Sequence, residues 1–113
     1  MRLPGVERSH VDGAKVRDYL LSRVHPIGRF KAAFFETLGY SRVEWRALER
    51  DLRALAASED ATLSGEREYG RKYVVRGMLR GPAGRSAPVV TVWVILLGED
   101  FPRLVTAYPG GEP

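Results

Sequence analysis

Residues 88 to 97 read PVVTVWVILL. The run is rich in β-branched side chains and apolar on both faces of an extended chain, the pattern of a strand in the middle of a sheet. Upstream, Gly81-Pro82-Ala83-Gly84 is a turn signal, and before it Tyr69 to Arg80 alternates. Tyr73, Val75 and Leu79 fall on one face of that stretch, and Lys72, Val74, Arg76, Met78 and Arg80 on the other, as in a half-buried strand. Downstream, Gly98 to Pro102 reverses the chain, and Arg103 to Tyr108 forms a shorter strand before PGGEP. Three consecutive antiparallel strands follow, and Ser58 to Gly65 has room for a short fourth at the edge.

Register decides what the cationic face of the first of these strands carries. Pairing Arg76 with Thr91 sets Thr91 and Trp93 beside Lys72, Arg76 and Arg80; a slip of one residue turns both to the opposite face. The alternation permits either.

The chain before the strands is helical. Asp12 can cap a helix over roughly 13 to 22 with Val16, Tyr19 and Leu20 as its apolar stripe. The residue before Pro26 is pushed out of the helical region, ending that segment. Gly28 opens a second helix, in which Phe30, Ala33, Phe34 and Leu38 recur at helical spacing. Gly39 suits the left-handed position that closes it, and Ser41-Arg42-Val43-Glu44 reads as a capping box, with Tyr40 and Trp45 as a hydrophobic staple. The third helix sets Trp45, Leu48, Leu52 and Leu55 against Arg46, Glu49, Arg50 and Arg53, with Glu49 and Arg53 placed to pair. The expected fold is therefore α+β: three N-terminal helices on one face of a three- or four-stranded antiparallel meander. Residues 1–11 read as a lead-in arm, 12–110 as a single domain and 111–113 as a tail.

At 113 residues, 44% hydrophobic and 28% charged, the chain can bury a core without a staple. It has no cysteine, which excludes disulfides, a thiol nucleophile and Cys-ligated zinc. No apolar run approaches membrane-spanning length, and the N-terminus lacks the apolar centre of a secretory signal. A soluble cytoplasmic protein is expected. The net charge of +4 is unevenly spread. Residues 13–35 carry Lys15, Arg17, Arg23, Arg29 and Lys31 against Asp18, residues 67–86 carry six cations against Glu68, and the remainder is net negative. Such polarisation suits an anionic partner such as RNA. The bland alternative is an arginine-rich solvated surface, since 15 of the 18 cations are Arg.

Two histidines fifteen residues apart, with no HExxH or paired-acid motif, argue against a metal site. The phosphate-binding GxxxxGK[ST] and GxGxxG loops and the GxSxG elbow are missing. No cofactor is expected. Metal-free RNA cleavage remains within reach, since it needs a proton acceptor, a proton donor and cations for the charge that builds on phosphorus. His25 can serve as acid or base. Lys31, Arg29, Lys72, Arg76, Arg80 and Arg103 are candidate phosphate contacts, and Trp93 or Tyr108 can stack on a base. Each also has an ordinary reading: His25 as a cap, Lys31 as a solvated cation, Trp93 as core.

The series AKVRDYLL, HPIGRFKAAFFETLGY, YGRKYVVRG, GPAGR, VVTVWVILLGED and PRLVTAYPG resembles a small bacterial family of unknown function over about Val11 to Gly110. Its members stand alone or end larger toxin-like proteins, which implies a toxin-associated role. The layout is also similar to the RNase toxins grouped with barnase, EndoU, colicin D and RelE. That resemblance implies active-site positions for His25, Lys31, Thr106 and Tyr108, although this chain lacks the second histidine many such toxins set beside the lysine. The readings that follow are a metal-independent endoribonuclease toxin, a noncatalytic module binding a cognate antitoxin or immunity protein, and a noncatalytic RNA-binding domain.

Overall fold

In the computed structural model, which describes residues 1–110, the central strand is β3 (Ser86–Leu96), third in an antiparallel meander with β1 (Ala61–Arg67), β2 (Gly70–Arg80) and β4 (Arg103–Pro109). The expected tail, 111–113, lies outside the described residues. Three helices precede the sheet: α1 (Gly13–Lys15), α2 (Gly28–Thr37) and α3 (Trp45–Ser58). The fold is the α+β arrangement read from the pattern, and the optional edge strand is present as β1.

The register is the slipped alternative. Val75 pairs with Thr91 and Tyr73 with Trp93, while Arg76 faces Val90. Thr91 and Trp93 therefore join the core, both fully buried. Burying the polar ends of Thr91 and Trp93 is tolerable because they satisfy each other: the indole N–H donates to Thr91 Oγ1 at 2.8 Å, and Thr91 Oγ1 donates to the Val75 carbonyl at 2.9 Å. This corrects the assignment of Trp93 to an RNA-facing surface. Around it pack Tyr73, Val75, Leu79, Val89, Leu104 and Ala107 from the strands and Leu48, Leu52, Leu55 and Ala56 from α3.

Three local expectations are revised. The first helix is short, and from Val16 to Leu20 it widens into a π-helical turn closed by Leu21 N–H on the Val16 carbonyl. Asp12 caps it as expected, accepting from the Ala14 amide. On α2 the buried stripe is Gly28, Ala32 and Phe35, continued by Leu38, so Phe30 is exposed and Phe34 only partly covered. The helix is rotated from the expected stripe of Phe30, Ala33 and Phe34, and packing selects the face that starts on a glycine and carries Phe35. Ser41 Oγ accepts from the Glu44 amide as half a capping box, but α3 begins only at Trp45.

Residues 1–11 lie against the rest of the fold. Leu3 and Val11 are buried in the core, the Met1 carbonyl accepts from the Ala61 amide, and His10 bridges Arg103 alongside β4. Gly39, at φ 99°, closes α2 as anticipated. Gly28 allows α2 to rest on the preceding turn, because a methyl group there would overlap the Tyr19 carbonyl. Gly28→Ala should cost roughly 1–3 kcal/mol in urea unfolding, the overlap outweighing the better helix propensity of alanine. An unchanged midpoint would show that this approach is loose.

Candidate active site

The side chains that concentrate chemistry meet where α2 comes up against β4. Ser22 Oγ accepts from the amides of Val24 and His25, turning the chain out of the π-helical segment. His25 then caps α2: its Nδ1 accepts from the Ile27 and Gly28 amides at 3.1 and 3.0 Å. With Nδ1 acting as acceptor, the ring proton sits on Nε2, which is left as a donor. The imidazole meets the Tyr19 ring edge-on, with centroids 4.9 Å apart.

Lys31, one turn into α2, donates from Nζ to Tyr19 Oη at 2.8 Å, and its ammonium stands 5.0 Å from that ring's centre. Lys15 approaches the same ring at 5.8 Å. Burial would raise the Tyr19 phenol, but the Lys31 hydrogen bond, the Thr106 hydroxyl and the charges of Lys31 and Lys15 outweigh it and hold the phenol below its ordinary value. Thr106 Oγ1 lies near enough to polarise the phenol, yet it is buried without a well-formed hydrogen bond. Leaving a buried hydroxyl without a good partner costs about 1–3 kcal/mol. In ultraviolet titration, one of the five tyrosines should ionise below 10, and Lys31→Ala should abolish that early component. Because the fold favours the phenolate, the associated stability appears as pH rises past the folded value and is complete only above 10. Identical titrations of the two proteins would rule out the coupling.

Register then joins this cluster to the outer face of the sheet. Three rows cross β2, β3 and β4: Lys72, Val94 and Arg103; Val74, Val92 and Thr106; Arg76, Val90 and Tyr108. Thr106 and Tyr108 share this face because the bulge in β4 absorbs one residue between Leu104 and Thr106. Val90 and Val92 form a floor that is buried although outside the main core.

Of the residues singled out from sequence, the fold brings His25, Lys31 and Thr106 around Tyr19. It sets Tyr108, Lys72, Arg76 and Arg80 on the adjoining sheet face and removes Trp93 to the interior. Arg103 is engaged, held to Glu99 by two 2.8 Å hydrogen bonds and lying over Phe101; the guanidinium holds the Glu99 carboxyl below the usual range. Arg17 and Arg42 grip Asp18, bringing its carboxyl from 3.8 to about 2, and Arg23 pairs with Glu36. Lys15, Arg29 and Lys31 have no carboxylate partner among the described residues. Sequence reasoning missed Tyr19, which counted as part of an apolar stripe, because the π-helical turn that redirects it is not readable from the pattern. No group of three or more His, Asp or Glu among the described residues is arranged to hold a metal ion. No helix of the described residues is long and apolar enough to cross a membrane.

A family profile described as a domain of unknown function, DUF6883, matches residues 2–111. No curated protein matches the chain. Among solved structures, a chain from a contact-dependent growth inhibition toxin and immunity protein complex of Klebsiella pneumoniae 342 is similar with a TM-score of 0.68. The two share 17% identity over 88% of this chain and 97% of that one, a likeness of fold.

Proposed function

Since the chain belongs to the DUF6883 family, a domain of unknown function, its activity has to be read from its own side chains, and we propose that it is a toxin-type, metal-independent endoribonuclease. The observation that carries this reading is the Lys31-activated Tyr19 phenol beside the buried, unpartnered Thr106 hydroxyl. In the proposed reaction the 2′-oxygen of RNA attacks the neighbouring phosphorus and the 5′-oxygen leaves. Tyr19 gives its proton to that oxygen, and Lys31 stabilises the phenolate left behind. Arg76 holds a non-bridging oxygen and Tyr108 orients the nucleotide from the same sheet face, while the buried Thr106 hydroxyl positions the phenol. His25 takes the 2′-proton on Nδ1 once the Ile27 and Gly28 amides release it.

The structural relative adds weight, because it comes from a complex of a contact-dependent growth inhibition toxin with an immunity protein. The test is induced expression of the wild type beside Tyr19→Phe, Lys31→Ala, His25→Ala and His25→Asn, following growth and total RNA. Growth arrest with RNA fragmentation is expected for the wild type alone. Asparagine can still accept the cap hydrogen bonds but cannot take a proton. An active His25→Asn protein would therefore leave His25 as a cap and not a base.

The same complex favours a second reading, a noncatalytic module that binds a cognate protein. Harmless expression together with a stoichiometric complex would establish it in place of the first. RNA binding without cleavage through Lys72, Arg76 and Arg80 would instead appear as salt-sensitive affinity with intact RNA.

A further inference from the structure

Beside Lys31 the chain holds three large apolar side chains in water: Val24, Ile27 and Phe30 are 89%, 60% and 69% exposed. Val24 and Ile27 precede α2, and Phe30 lies off the stripe that the helix buries through Ala32 and Phe35. Three large apolar side chains exposed within the stretch Val24 to Phe30 are more informative than one alone. Arg29 lies over the Phe30 ring at 4.8 Å. Phe30 thus presents an aromatic face and a guanidinium plane one residue from the proposed catalytic lysine.

We infer that Phe30 and Arg29 form a stacking platform for an unpaired base next to the scissile phosphate, so that the substrate is single-stranded or looped-out RNA. The inference rests on the endoribonuclease reading and names the form of substrate that the site takes. Charge favours nucleic acid over a protein occupant, since Arg29 on the Phe30 ring and Lys31, next to Phe30 in the helix, have no carboxylate partner among the described residues. Only an unstacked base can offer its face to Phe30; in a duplex those faces are already covered.

The test is fluorescence polarisation with a labelled 2′-O-methyl RNA strand, which lacks the attacking hydroxyl, and with its blunt duplex. Wild type, Phe30→Ala and Phe30→Trp are compared, and cleavage of the unmodified strand is followed in parallel. The wild type should prefer the single strand. Phe30→Ala should weaken that binding by roughly 5- to 150-fold while leaving the duplex unchanged, and Phe30→Trp should retain it. Because Phe30 is exposed, its urea midpoint should not move. Equal loss on both RNAs, or no loss on either, overturns the platform while cleavage by the wild type keeps the nuclease reading alive. If the wild type neither binds nor cuts RNA, the nuclease reading fails and the platform falls with it. A protein complex lost in Phe30→Ala with RNA binding untouched overturns the platform in favour of a protein contact.

Discussion

Tyr19→Phe should lower RNA cleavage by about 100- to 10,000-fold, the range that a positioned general acid contributes. The substitution removes one oxygen and one proton from a ring whose half-buried setting is otherwise kept. Lys31→Ala should cost about as much, because the phenol is useful as an acid only while the ammonium at 2.8 Å stabilises its anion. The two side chains act on a single proton, so the double variant should be no slower than the worse single one. Single-turnover cleavage of a labelled oligonucleotide measures this, with urea unfolding as the control for structure. A Tyr19→Phe protein that folds normally and cuts at the wild-type rate would remove the phenol from the chemistry.

The largest effect on stability should come from Trp93→Ala. The side chain is completely buried at the centre of the sheet, and truncation of such an aromatic costs about 3–5 kcal/mol. That is a large part of the roughly 5–15 kcal/mol that holds a domain folded. Thr91→Val should be milder yet still destabilising by about 1–3 kcal/mol, because it leaves the indole N–H buried without an acceptor. Combining Thr91→Val with Trp93→Phe should cost less than the sum of the two, as both ends of that hydrogen bond then disappear together. Trp93→Phe should leave RNA affinity unchanged. A Trp93→Ala protein that unfolds like the wild type but loses RNA would reverse the assignment of this residue to the core.

The candidate site was legible in its parts and not in its assembly. His25 and Lys31 stand out in the stretch HPIGRFK because few other places in the chain combine an imidazole with unpaired cations. Tyr108 was singled out as a stacking candidate by its residue type, whereas the active-site positions of Thr106 and Tyr108 came from a resemblance and not from periodicity. Tyr19 was hidden, because a tyrosine at helical spacing between Val16 and Leu20 looks like core, and only the wide π-helical turn and the approach of α2 bring its hydroxyl to Lys31. Phe30 was misread in the opposite direction, for Phe34 and Phe35 are adjacent in α2 and sequence alone does not say which of them faces the core.

Local periodicity therefore determined the kind and order of the main elements, leaving the edge strand β1 optional and the first helix too long. The two-residue period of 69–80, the continuous apolar run of 88–97, the Leu48, Leu52 and Leu55 stripe and the glycine and proline punctuation each depend on only a few neighbouring residues. Tertiary structure alone decided the rotation of α2, the strand register and the outcome for Trp93. Each is a choice between alternatives that differ by one residue, a shift that local propensity barely senses but that turns a side chain from core to solvent. What settles such a choice is long-range packing: Gly28 against the Tyr19 carbonyl, and Thr91 satisfying Trp93 and Val75 inside the core.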